Sequence, residues 1–314
     1  MGEITISMNI FIDYETICIN CQEKGYSFGY GIKTIEYKGF KILDLPQPYL
    51  NGASIYFEYE KQPFLLKSTE NSHHADYGIK DAKFAMMNAR SNKNSSVSRF
   101  TYSFSFPENK PDDNQIPKII EYIDVYRFKN KPYFFIFYTF RNLTGKTINN
   151  FNFYQFYDFD IYGEDSYSTD FAKFDSKSGI IYQYDYKKGL EKSIFAGIGS
   201  NLKPNTFECN TPQDIFIFNN NQVSLRNYAE KGPCDCAVAS QWVRPIFKHN
   251  ELISFPIMMI MGLGKDNFFE NVKNAKNDLE IHNKSVIRAV ENLSRQKIDP
   301  KLEKLNFSKR KWCK

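Results

Sequence analysis

Residues 119–162 read IIEYIDVYRFKNKPYFFIFYTFRNLTGKTINNFNFYQFYDFDIY. Ile119 to Phe128 alternate apolar with polar side chains, the period of an extended strand with one buried face. Tyr133 to Phe140 are almost continuously apolar, as a strand covered on both faces would be. Lys129-Asn-Lys-Pro132 and Asn142-Leu-Thr-Gly-Lys146 interrupt the run with turn-forming residues, so three successive strands are expected to form an antiparallel meander. A strand that needs cover on both sides points to two stacked sheets.

The same rhythm extends outward. Ile4, Ile6, Met8, Ile10 and Ile12 alternate along a first strand, and further strands are expected over Tyr26 to Tyr37, Ala53 to Lys67 and Val97 to Phe106. Gly39, Asn51-Gly52 and Pro107 break them, while Asn71 to Ala75 and Asn88 to Ser96 read as loops. Beyond Gly163, strands are expected over Ile180 to Tyr186, Ser193 to Gly199, Asp214 to Phe218 and Val238 to Phe247. Neither a βαβ alternation nor a fixed-period repeat is visible, which excludes doubly wound and solenoid architectures. The fold class is therefore mainly β, a large two-sheet antiparallel β-sandwich, assigned to residues 1–265.

Residues 266–314 differ. Phe268, Val272, Ala275, Leu279, His282, Val286, Ala289 and Leu293 step by four and three, keeping one side of a long helix apolar over Asn267 to about Leu293. Asn267 followed by Glu270 resembles a capping box, and Asp299-Pro300 ends the run. Some 27 residues at about 1.5 Å each span roughly 40 Å, long enough to cross a sheet or to pair with a second copy. His282 is the one strongly polar member of the seam, expected to be a satisfied or edge-placed histidine before a pH switch.

The 314 residues include 29 Phe and 21 Tyr, side chains that favour strands and large cores. The formal charge of +5 is uneven, because residues 284–314 hold ten Lys or Arg against three Asp or Glu. Such a tail suits solubility or, less directly, contact with nucleic acid through 301–314, where Phe307 and Trp312 stand among lysines. The first residues lack the basic start and apolar centre of a secretory signal, and no stretch approaches the roughly 20 apolar residues of a membrane span. A cytoplasmic location with reduced cysteines is expected, and the Asn142-Leu-Thr144 sequon is expected to stay unmodified.

Three groups carry candidate chemistry. Cys18 and Cys21 with Cys234 and Cys236 have the makings of a zinc site, since Zn²⁺ takes four thiolates at about 2.3 Å; the alternative is isolated reduced thiols. Cys209 and Cys313 have no evident partner. Asp158 and Asp160 share one strand face, with Glu164, Asp165 and Asp170 close behind, a set suited to Ca²⁺, to sugar hydroxyls, or to acid–base chemistry; the plain alternative is a strand end whose acids face water. Gln241-Trp242-Val-Arg244 offers a ring for stacking beside hydroxyl-binding groups, unless the tryptophan is core. His73-His74 with Asp76 reads as a polar loop. GxGxxG, GxxxxGK[ST], HExxH and GxSxG are all absent, and Gly262-Leu-Gly264 lacks the third glycine of a phosphate cradle.

Tyr138-Thr-Phe-Arg-Asn142-Leu-Thr followed by Phe156-Tyr-Asp158-Phe-Asp160, and Phe247-Lys-His-Asn-Glu251 leading into Ile253 to Gly262, resemble the galactose-mutarotase-like β-supersandwich family, which includes the N-terminal domains of glucoamylase-type glycosidases. The resemblance covers roughly residues 120–280. It implies a supersandwich-like sheet architecture and a carbohydrate connection. The histidine and glutamate motifs of its epimerase members have no counterpart here, so it implies no catalytic residue.

The resulting expectation is a non-catalytic binding or interaction protein with a concave aromatic face, its ligand a carbohydrate held by Asp158, Asp160, Trp242 and Arg244. No cofactor is expected beyond a possible Zn or Ca ion, and a homo-oligomer through helix 267–293 is a candidate assembly. The alternatives are a glycosidase- or epimerase-like enzyme using Asp158 or Asp160, and a structural or nucleic-acid-associated protein acting through its basic tail.

Overall fold

The computed structural model describes residues 34–37, 40–44, 52–66, 81–91, 95–105, 119–128, 131–162, 167–186, 189–215 and 223–295. Its strands, in chain order, are β1 (Thr34–Tyr37), β2 (Phe40–Asp44), β3 (Gly52–Tyr59), β4 (Gln62–Leu66), β5 (Asp81–Ser91), β6 (Ser95–Ser105), β7 (Ile119–Phe128) and β8 (Tyr133–Asn142). There follow β9 (Ile148–Tyr157), β10 (Asp170–Asp175), β11 (Ile180–Asp185), β12 (Ile194–Gly199), β13 (Thr206–Asn210), β14 (Glu230–Cys234), β15 (Ala237–Phe247) and β16 (Leu252–Leu263), and then helix α1 (Lys265–Arg295).

Nine strands form one sheet in the order β14-β10-β11-β12-β16-β8-β7-β6-β5, five form a second in the order β13-β15-β9-β3-β4, and β1 pairs with β2 in a small ribbon. Every pairing is antiparallel. The protein is a mainly β, two-sheet sandwich with one long helix at its C-terminal side.

β8 shows why its sequence is apolar throughout. All ten of its residues are buried. Phe134, Ile136, Tyr138 and Phe140 face the second sheet, where Phe151, Phe153 and Trp242 meet them, with Phe255 of neighbouring β16 in the same layer of rings. Tyr133, Phe135 and Phe137 face the other way and join Phe268, Val272, Ala275 and Leu279 of α1. The cover on its two faces is therefore one sheet and one helix. His282 continues that seam, half-buried among the rings of Tyr126, Phe128 and Phe135, and burial lowers its pKa. Beside it, Asp278 accepts hydrogen bonds from Lys131 and from Tyr133 Oη (2.6 Å), tying helix to sheet.

Two glycines let the helix settle. A Cβ on Gly262 of β16 would lie 2.4 Å from Phe268 Cα, and one on Gly197 of β12 would lie 3.0 Å from Phe268 Cζ as well as 2.7 Å from Tyr182 Cβ of β11. Gly264, at φ +81°, turns the chain into α1, and a Cβ there would stand 2.5 Å from Glu191 O. The Gly-Leu-Gly sequence thus serves close packing and a left-handed turn.

The β8–β9 turn is organised by Asn142, which is fully buried. Its Nδ2 donates to Lys146 O and to Phe247 O (both 2.9 Å), and its Oδ1 accepts from Thr144 N (2.9 Å) and Thr144 Oγ1 (2.7 Å). Its backbone adds bonds to Glu251 and Asn250 in the β15–β16 turn. One side chain therefore staples two turns, and in the folded protein its amide has no room for a glycan. Asn142→Ala strands several buried donors and acceptors, so it is expected to cost about 2–4 kcal/mol, read as a lower urea midpoint at unchanged slope.

Several sequence expectations are corrected. The expected run from Ala53 is, as far as Leu66, a hairpin turned at Glu60 and Lys61, which adopt φ +52° and +65° without the glycine or asparagine that signals such a turn. Asn88 to Ser91 continue β5, paired with Arg99 to Ser96 of β6, so both ends of the expected loop are strand. Asp214 and Ile215 lie in a turn closed by Asp214 N to Thr211 O (3.0 Å) and Thr211 Oγ1 to Asp214 Oδ2 (2.8 Å). Asn267 is inside α1, where its Oδ1 accepts from Leu263 N (3.1 Å), so the helix starts three residues earlier than a capping box at Asn267 implies. Among the described residues no helix is long and apolar enough to cross a membrane. The expected strand at Ile4 to Ile12 and the basic tail 301–314 lie outside the described residues, as do Cys18, Cys21, Cys313, His73, His74, Asp76, Glu164 and Asp165.

Candidate functional site

The four expected ligand residues divide between two places. Trp242 pairs in register with Phe153 and Arg244 with Phe151, whereas Asp158 follows Tyr157, which pairs with Val238 at the other end of the strand. Seven residues of extended chain put Arg244 about 20 Å from Asp158. Trp242 is 3% exposed, packed between the sheets, with Nε1 donating to Leu202 O (2.9 Å). Arg244 is exposed and ion-paired with Glu251 (2.6 Å).

The third member of that motif, Gln241, holds a covering segment in place. Its Nε2 donates to Asn152 Oδ1 (2.7 Å) and Val223 O (3.3 Å), and its Oε1 accepts from Leu225 N (3.1 Å) and from Thr206 Oγ1. Glu208, 1% exposed, takes both the guanidinium and the backbone N–H of Arg226. Ile215 and Leu225 then cover Tyr154, Phe156, Ala237 and Ala239. That part of the outer face of the five-stranded sheet is covered by the chain itself.

Asp158 and Asp160 lead instead into a cluster of carboxyls at the opposite end of β9. Both are half-buried and leave the strand as it turns toward Tyr162. Asp170 and Asp185 are the paired first and last residues of β10 and β11, fully buried on the inner face, and Asp235 sits in the link from β14 to β15. Hydrogen bonds fix their surroundings. Gln183 receives Phe159 N (3.0 Å) and donates to Phe159 O (3.1 Å) and Cys236 O (2.6 Å), joining the two sheets where their ladders end. Thr169 Oγ1 donates to Asp185 Oδ2 (2.9 Å), and Ile161 N approaches Asp170 Oδ2 (3.4 Å).

Carboxyls gathered this closely cannot all ionise. Burial first, then the charges of Asp160 and Asp235, push Asp158 well above the usual carboxyl range, and its Oδ1 is shielded from water although the residue as a whole is half-buried. Burial first, then Asp185, push Asp170 up to about 10. Asp170 therefore carries its proton at neutral pH, burial drives Asp158 in the same direction, and a carboxylic acid offers a donor and acceptors together. Among the described residues no three acidic, thiol or imidazole groups converge as a metal-holding set.

Rings stand beside this cluster on the other face of the same strand ends. Phe171 stacks on Tyr184 (5.4 Å between centroids, 14° between planes), Tyr184 stacks on Phe195 (4.9 Å, 11°), and Tyr186, 57% exposed, meets the edge of Phe171. The sequence places Phe171 next to Asp170 and Tyr186 next to Asp185, but their convergence depends on a pairing between β10 and β11 that residue types alone do not specify.

No protein-family profile matches the chain, and no curated protein matches it in sequence. Similar solved structures include a bacterial glucoamylase complexed with acarbose, 11% identical with a TM-score of 0.46, covering 80% of this chain and 33% of that one. A polysaccharide lyase is 9% identical at a TM-score of 0.45, covering 87% and 35%. A galactose mutarotase-like protein from Clostridium acetobutylicum is 10% identical at 0.41, covering 76% and 91%. The chain thus spans about a third of the length of the first two. The kinds of protein suggested by residues 138–160 and 247–262 occur among these structural neighbours.

Proposed function

We propose that the chain is a non-catalytic, carbohydrate-binding β-sandwich whose ligand meets Asp158 and Asp160 at the end of β9. The observation that carries this reading is the pair itself. One half-buried carboxyl is driven toward its protonated form by burial and another stands two residues on, so together they offer a donor and acceptors to adjacent hydroxyls. Trp242 and Arg244 stay outside this reading, because each is already engaged within the protein.

A second reading is a carbohydrate-active enzyme. It is favoured by one specific feature, an Asp158 whose pKa is raised by burial and by neighbouring carboxyls, the arrangement from which glycosidases draw a general acid. Calorimetric titration with a panel of oligosaccharides, alongside hydrolysis assays on aryl glycosides, separates the two. Binding without turnover, weakened about tenfold or more by Asp160→Asn, is the expected result, since one charge-assisted hydrogen bond is worth about 1.5–3 kcal/mol. Turnover abolished by Asp158→Asn replaces the first reading with the second. Silence in both assays sinks both.

A further inference from the structure

Cys234 ends β14, the edge strand of the nine-stranded sheet, and Cys236 immediately precedes β15 of the five-stranded sheet. The two thiols therefore flank the corner where the chain steps from one layer to the other. Their sulfurs are 3.2 Å apart. Two thiolates on one tetrahedral zinc at about 2.3 Å each would stand about 3.8 Å apart. The observed separation is shorter than that, and a shift of about 1.2 Å reaches the length of a disulfide bond.

Further observations bear on the pair. Cys236 is buried and anchored, its Sγ donating to Asp170 O (3.3 Å) and its carbonyl accepting from Gln183 Nε2 (2.6 Å). Cys234 is only partly buried. Cys234 is the less buried of the two, with the buried Cys236 sulfur in contact behind it, the order of an attacking and a resolving thiol. Cys209 is also buried, in β13 opposite Val238, with no sulfur contact among the described residues.

We propose that Cys234 and Cys236 form a reversible disulfide by exchange with a small-molecule disulfide. Cys234, as thiolate, attacks one sulfur of the reagent, forming a mixed disulfide and releasing one small thiolate. Cys236 then attacks the Cys234 sulfur, closing the ring and releasing the second. The two electrons pass from the protein thiols to the reagent, and the two thiol protons end on the two released thiols. Burial pushes the Cys236 thiol up, which makes the second step the slower one and quickens it with rising pH. Closure fixes the corner covalently, with Asp235 at its apex facing Asp158.

The test uses the intact chain equilibrated across glutathione to glutathione disulfide ratios, then alkylated and digested with trypsin. Cleavage after Lys231 and Lys248 isolates one peptide holding Cys234 and Cys236 and no other cysteine. Joint loss of both labels, with a peptide two hydrogens lighter, is expected, while Cys209 remains labelled after unfolding. Cys236→Ser should stall at glutathione on Cys234. Two labels at every ratio, a cross-link to another cysteine peptide, or full protection by one bound zinc ion each overturn the proposal. Because the readout is chemical, it stands whatever becomes of the carbohydrate reading.

Discussion

Replacing Gly262 with alanine is expected to lower the melting temperature by roughly 6 °C or more, the shift that about 3 kcal/mol produces in a domain above 150 residues. The added methyl would lie 2.4 Å from Phe268 Cα and 2.7 Å from Phe268 N. Those are backbone atoms of a helix, so no side-chain rotation relieves the clash, and overpacking of this kind costs about 1–3 kcal/mol or more. α1 must lift, loosening Phe268, Val272, Ala275 and Leu279 from the sheet together. Gly145→Ala is the control. Gly145 has φ +79° but nothing within 4 Å of its added methyl, so it registers only the left-handed backbone, about 1–2 kcal/mol. Equal losses from the two substitutions would mean that the helix is not seated on Gly262.

Replacing Asp170 with asparagine is expected to stabilise the protein at pH 8, and the gain should widen as pH rises. Asp170 is 1% exposed and holds its proton up to about 10, against 3.8 for an ordinary carboxyl. Between those values the folded chain binds a proton that the unfolded chain has released. Stability from this group is therefore full below about pH 4 and is lost progressively as pH climbs toward 10, at a limiting slope of about 1.4 kcal/mol per pH unit. Asparagine keeps the shape, lets one oxygen meet Ile161 N, turns an amide toward Asp185, and removes the titration. Urea midpoints of both proteins from pH 6 to pH 9 measure the gap. A constant gap, or a variant weaker at pH 8, would show that Asp170 is ionised in the fold.

The layered β architecture was legible because β8 states it outright: Tyr133 to Phe140 have no polar face, so cover on both sides was required. The helix was legible from Phe268, Val272, Ala275 and Leu279, whose spacing has no other use. What stayed hidden was conformational or distant. Glu60 and Lys61 adopt a turn that their side chains do not advertise, and Trp242 carries no mark that distinguishes a stacking platform from a core ring. At the candidate site, Asp158, Asp160 and Asp170 were named from sequence, while Asp185 and Asp235 were not. Asp185 stands across a ladder from Asp170, and Asp235 comes from a strand link more than seventy residues from Asp158, so only strand pairing unites them. The approach of the Cys234 and Cys236 sulfurs to 3.2 Å depends on how the chain turns between β14 and β15, which the spacing of the two residues does not state.

The middle of the nine-stranded sheet joins β8 to β16, matching Arg141 with Leu252 and Tyr133 with Ile260, partners more than a hundred positions apart. Closing so long a segment precedes any reward from the contacts it makes, so the rate of acquiring the native state is set by this seam. The meander β5 to β8 needs only neighbours in the chain and can form first. Until β16 arrives, β8 presents a bare, intensely apolar edge, the moment at which this protein is most prone to associate with copies of itself.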